Sequence, residues 1–207
     1  MWMASLFIAL AGVVDFLDGF VARLFKATSE MGKQLDSLAD VVSFGVAPSM
    51  IIYQFLRMSF AREADGLNTS LYWLVPAFVL AAAAAYRLAR FNLDSSQQYG
   101  FKGMPVPAVG ILVASLPLIY WNNANENLIN MLLNKWVLYA LVALLSWLMV
   151  SKLPLMALKF KNFSVKDNLP KYLLIALAIV GFLLLKWAAI PLVILAYIVL
   201  SLVFKKK

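Results

Sequence analysis

The chain has 207 residues, 64% of them hydrophobic, and a mean hydropathy of +0.85. That is too apolar for a soluble domain and too long for one membrane span, so composition points to a single all-α, polytopic membrane bundle. Cysteine and histidine are both absent, which excludes disulfides, thiol chemistry, Ser-His-Asp triads and histidine metal sites, and the net charge of +8 is distributed as for a membrane surface rather than for nucleic acid.

The predicted elements follow the hydropathy in chain order, with six to seven spans expected. Helix one covers about residues 2–25, and helix two about 31–57 with Gly45 and Pro48 inside it. Pro48 is expected to kink helix two, because proline removes an intrahelical hydrogen bond. A polar loop at 58–69 precedes helix three, about 70–91, whose run Ala81 to Ala85 permits close helix approach. A second polar loop at 92–104 leads to helix four, about 105–121, opened by Pro105 and Pro107. An Asn-rich loop follows at 122–134, then helix five at about 135–150 and a basic connector at 151–171. Two apolar segments, roughly 172–185 and 187–204, are split by Lys186. No cleavable signal peptide is expected, since the first apolar segment carries carboxylates and no small-residue cleavage site follows it.

Charge predicts the orientation. With the end of helix one placed inside, only Arg57, Arg62, Lys135 and Lys186 of the eighteen Lys and Arg fall outside. The end of helix one and the start of helix two then face the cytoplasm.

That junction holds the chemistry. Asp15, Asp18 and Ala22 follow i, i+3, i+7 and share one helix face, and Asp36 and Asp40 follow i, i+4 with Gly32 one turn before. If the two helices pack antiparallel, four carboxylates converge roughly 15 Å below the inner surface, counting about ten residues at 1.5 Å each. Four acids in a low-dielectric place cannot all stay ionised without cations. Carboxylate oxygens select hard divalent ions such as Mg2+, Mn2+ or Ca2+, one or two of them. Helix capping and polar glue between helices account for one or two buried aspartates, not for four in register. Gly19 and Gly32 let a nucleotide approach the backbone, and Arg23 can fork onto a phosphate or snorkel to the headgroups. Asp40 is the candidate general base and catalytic residue.

The spacing D-x2-D-G-x2-A-R-x8-G-x3-D-x3-D, from Asp15 to Asp40, resembles the signature of the CDP-alcohol phosphotransferases at all eight fixed positions. The resemblance implies a CDP-linked substrate with CMP leaving. It also implies metal ligands at Asp15, Asp18 and Asp36, with Asp40 completing the cluster and serving as base. Asp18, Gly19, Ala22, Arg23 and Gly32 are the expected CDP and phosphate contacts, and two Mg2+ or Mn2+ ions the expected cofactor. Residues 35–48, 86–92 and 101–110 are similar to the phosphatidylserine synthase branch, with its Asp-Ser-Leu-Ala-Asp-x-Val-Ser-Phe-Gly-x-Ala-Pro run, Arg-Leu-Ala-Arg-Phe-Asn and Phe-x-Gly-x-Pro-x-Pro-Ala. That branch implies transfer of the phosphatidyl group from CDP-diacylglycerol to L-serine, in a homodimer among membrane lipids.

The whole chain, 1–207, is expected to form one domain with its motif core at 15–40, an acceptor side at 86–110 and less specific helices at 135–204. Serine carries a carboxylate, so its pocket needs a cation. Arg87, Arg90 and Lys102 are candidates for that carboxylate or for a lipid phosphate, or are topology charges. Ser43 and Asn92 are candidates for the serine ammonium or hydroxyl, or are helix–helix hydrogen bonds. Glycerol 3-phosphate or an inositol phosphate is the alternative acceptor, and a cation-binding membrane protein the alternative class. Members of the branch carry a further membrane helix ahead of the first aspartates, whereas fourteen residues precede Asp15 here.

Overall fold

The computed structural model describes residues 1–26, 29–63, 66–93, 101–123, 125–156 and 164–204. It is a helical bundle, as composition requires. Helix α1 is Trp2–Leu24 and α2 is Glu30–Asp40, with Ser29 capping α2 by accepting from the Gly32 amide at 3.0 Å. Glu30 in the first turn of α2 complements the positive helix end.

From α2 the chain runs without a break through a π-helical turn, Val41–Val46, into α3, Ala47–Phe60. The expected disturbance at Pro48 thus takes the form of a widened turn. Pro48 has no N–H for the carbonyl four residues back, and a π turn re-registers that ladder. Ser49 Oγ donates to the Gly45 carbonyl, one turn back, at 2.8 Å.

Two 3-10 turns, Leu71–Trp73 and Val75–Phe78, lead into α4, Val79–Leu93. Helix α5 is Val106–Asn122. The Asn-rich stretch expected as loop contains a short helix, α6, Glu126–Leu132, because Asn125 accepts from the Asn127 and Leu128 amides as its cap. Asn134 caps α7, Lys135–Val150, in the same way, and α6 and α7 meet at 61°. A two-residue antiparallel ladder pairs β1, Phe101–Lys102, with β2, Pro154–Leu155. Helix α8, Val165–Leu185, and α9, Ala189–Val203, flank Lys186, which has φ +50°.

The π turn is the hub. Phe44 is 1% exposed; Gly12 of α1 and Gly110 of α5 lie against its ring, and Gly45 against Ala84 of α4. A Cβ on Gly110 would stand 2.9 Å from Phe44 Cβ, so α5 reaches this turn only because residue 110 lacks one. Phe55, Ile52, Leu56 and Leu80 extend the same buried cluster.

Four stretches are long and apolar enough to cross a membrane: Trp2–Ala22, Glu30–Phe60, Leu71–Leu93 and Asn168–Val203. The bent pair α6–α7 makes a fifth if counted as one span. The chain is an integral membrane protein by this measure, but the six to seven spans expected are not reached by it. Helix α5 is apolar but shorter than the requirement, and the Asn168–Val203 stretch counts once although Lys186 interrupts it.

Candidate active site

The end of α1 and the middle of α2 bring three acids together. One carboxylate oxygen from each of Asp15, Asp18 and Asp36 lies within 4.8 Å of the other two. Asp15 is half-buried, whereas Asp18 and Asp36 are exposed at the surface of the chain. Three carboxylates at this spacing repel one another, and oxygen-only donors of this kind fit a hard dication. The acidic cluster anticipated from the spacing is therefore present, carried by three residues of the four.

Asp40 stands apart from that group. It is one turn beyond Asp36, half-buried at the start of the π turn, and within electrostatic reach of Asp15, Asp36, Asp18 and Arg87. An acid next to the cluster but outside its closest oxygens is free to move a proton.

The acceptor-side candidates separate into distinct roles. Asn92 Nδ2 donates to Ser37 Oγ at 2.9 Å, tying α4 to α2. Arg90 Nη1 donates to the Val150 carbonyl at 2.8 Å, at the last turn of α7. Both side chains are thus engaged within the bundle. Arg87 differs: it is 8% exposed, and its Nε has no hydrogen-bond partner among the described residues.

Two contacts set the level of Arg87. Asn92 meets Ser37 toward one end of α4, and Ala84 meets Gly45 toward the other. Antiparallel helices advance equally, so Arg87 falls opposite the stretch from Asp40 to Ser43. Ser43 is half-buried there, on the widened turn. Arg87 thus combines burial and an unused Nε donor with the nearby charge of the Asp40 carboxylate.

Gly19 and Ala22 are half-buried on α1. Gly32 is exposed in the first turn of α2, and a Cβ there would stand 3.1 Å from Ser29 Oγ, crowding the cap. The side chains of Arg23 and Lys102 lie outside the described residues. Two residues escaped the sequence reading. Ser37, between Asp36 and Leu38, is the partner of Asn92. Tyr197 is the only aromatic residue of α9; it is 6% exposed and in electrostatic reach of Arg87. Its signal was legible, since Tyr197 and Ser201, four apart, are the only polar residues of that helix.

Comparison with known proteins bears on this arrangement. A family model described as CDP-alcohol phosphatidyltransferase matches residues 1–158. The chain is 35% identical over 181 residues to a CDP-diacylglycerol–serine O-phosphatidyltransferase of Helicobacter pylori, covering 84% of this chain and 67% of that one. It is 36% identical over 166 residues to the protein of that name from Bacillus subtilis, covering 77% and 75%. The protein of that name from Saccharomyces cerevisiae is 41% identical over 122 residues, covering 55% and 40%.

Proposed function

This chain belongs to the CDP-alcohol phosphatidyltransferase family, and we propose that it transfers the phosphatidyl group of CDP-diacylglycerol to L-serine, giving phosphatidylserine and CMP. The observation that carries the reading is the acidic cluster of Asp15, Asp18 and Asp36, with Arg87, buried and with an unused donor, on the level of Asp40 next to it. The names of the relatives all carry serine as acceptor.

Asp15, Asp18 and Asp36, with Asp40 completing the set, would hold Mg2+ or Mn2+ ions, which when bound offset charge on the pyrophosphate. Gly19, Ala22 and Gly32 leave the backbone open to the CDP moiety, and Arg23 supplies a cation to a phosphate oxygen. Arg87 grips the serine carboxylate and Ser43 orients its ammonium, which sets the serine hydroxyl against Asp40. Asp40 takes the hydroxyl proton as the oxygen attacks the lipid-side phosphorus. The bond from that phosphorus to the bridging oxygen breaks, and CMP leaves with the electron pair. The transfer is direct, and the chain has no histidine for a histidine-based ping-pong mechanism.

Counting α8 and α9 separately, together with α5 and α7, gives seven spans, with the acidic cluster on the cytoplasmic side. Lipid substrate then reaches the cluster from the bilayer and serine from the water. An acceptor panel tests the assignment. Purified protein is given CDP-diacylglycerol, Mn2+ and one of serine, glycerol 3-phosphate or inositol phosphate. CMP release with serine alone is expected. Release with another acceptor and none with serine overturns the serine assignment.

A further inference from the structure

Three cations stand where α3 ends and α7 begins: Arg57, Arg62 and Lys135. Two of them are engaged. Arg62 Nη2 donates to Asn130 Oδ1 at 2.8 Å, and Lys135 Nζ pairs with Glu63 at 2.6 Å and lies over the Phe60 ring. The Arg57 guanidinium, in the last turn of α3, makes no ion pair or hydrogen bond among the described residues. Arg57 is also far from the acidic cluster. It lies twenty-one positions beyond Asp36 on the unbroken stretch Glu30–Phe60, roughly 30 Å along the axis at 1.5 Å per residue.

Arg57 lines a cavity of about 400 Å³, together with Tyr53 one turn earlier on the same face of α3, and with Gly66, Thr69, Leu71 and Leu74. The returning chain is drawn onto the end of α3. The Gly66 amide donates to the Glu63 carbonyl at 3.0 Å, and the Phe60 carbonyl stands so close that residue 66 has no room for a Cβ. Thr69 Oγ1 donates to the Gly66 carbonyl at 2.6 Å, so its proton is spent. Two side-chain donors in the lining are left: the Arg57 guanidinium and the Tyr53 hydroxyl, which has no hydrogen-bond partner among the described residues either. The Tyr53 ring packs on Phe78 with centroids 6.0 Å apart, which limits where that hydroxyl can point.

Two donors one turn apart that share a cavity and have no protein acceptor call for an anion. A guanidinium forks onto two oxygens of a phosphate, and a phenol bonds a third. The volume falls within the roughly 300–1,000 Å³ of small-ligand sites and is well beyond what one water needs. The cavity sits where the membrane-length stretch Glu30–Phe60 ends and Leu71–Leu93 begins. Leu71, exposed, and Leu74 give it an apolar wall. A free phosphate uses only the donors, whereas a phospholipid uses the donors and this wall.

We propose that this cavity is a second lipid site: Arg57 and Tyr53 hold the phosphate of a phospholipid in the leaflet opposite the acidic cluster. The site is separate from the reaction centre and does not depend on which acceptor the protein uses.

The test is thermal unfolding of the delipidated protein in a neutral detergent, with dioctanoyl phosphatidylglycerol, dioctanoylglycerol or inorganic phosphate added. The phospholipid at saturation is expected to raise the midpoint by about 5 °C, and the other two by less than about 1 °C. Arg57→Gln, at an exposed position, should lose most of that rise, and Tyr53→Phe, which keeps the ring, should lose part of it. Arg62→Gln removes a neighbouring cation that is already engaged and should keep the full rise. A full rise in both Arg57→Gln and Tyr53→Phe overturns the proposal, as does no rise in the wild-type protein. An equal loss in Arg62→Gln would reduce the effect to general surface charge and overturns it too. An equal rise with inorganic phosphate makes this a site for a free anion, and an equal rise with dioctanoylglycerol makes the phosphate irrelevant; either result overturns the phospholipid assignment.

Discussion

Asp36 is the one acid of the close cluster supplied by α2, so it links two helices through whatever the carboxylates bind. Asp36→Asn keeps the shape and removes a charged ligand. Mn2+ affinity, measured by electron paramagnetic resonance on the purified protein, is expected to fall about 10- to 100-fold. Unchanged affinity would place the ion elsewhere. At this scale the sequence was informative where spacing alone fixes a face: i, i+3 in α1 and i, i+4 in α2 put Asp15, Asp18, Asp36 and Asp40 in one neighbourhood. It was not informative about Arg87, Arg90 and Asn92, which read as equivalent cations and amides at the end of one helix. What separates them is tertiary. Arg90 meets a carbonyl sixty residues away, Asn92 meets a serine fifty-five away, and the Arg87 Nε has no partner among the described residues.

The controlling element is the π turn between α2 and α3. Pro48 foretells a disturbance, but the form it takes depends on what packs around Phe44. Gly110 of α5 and Gly12 of α1 approach the same ring at very different distances, which gives a paired prediction. A Cβ at residue 110 would lie 3.1 Å from the Phe44 Cα, against backbone that cannot swing aside. A Cβ at residue 12 would meet the ring at 3.7 Å, ordinary contact. Gly110→Ala is expected to destabilise by about 1–3 kcal/mol through overpacking. Gly12→Ala should be neutral or stabilising, since alanine is the better helix former. Thermal unfolding in detergent measures both, and equal melting points for the two variants would contradict the close packing at Phe44. The same logic explains the missed α6: its seven residues are too few for a periodic signal, and its existence rests on the Asn125 cap.

Across the whole molecule, composition and hydropathy were enough for an integral membrane helical bundle, and helix five was placed to the residue at Lys135–Val150. Span number was harder to read, because α5 and α7 are shorter than a bilayer needs and α8 and α9 are joined through a tight turn at Lys186. The absence of cysteine makes orientation directly measurable. Asn127→Cys and Ser164→Cys each introduce a single thiol at an exposed position. In intact cells a membrane-impermeant maleimide should label Asn127→Cys, and should label Ser164→Cys only after permeabilisation. The reverse pattern would turn the acidic cluster to the outside.

The reaction centre itself is tested most directly by the rate of CMP release from CDP-diacylglycerol and L-serine in Asp40→Asn, set beside Mn2+ binding by the same protein. Loss of a general base predicts a kcat lower by about 100-fold or more, with the ion still bound through Asp15, Asp18 and Asp36. A wild-type rate in Asp40→Asn would contradict the account.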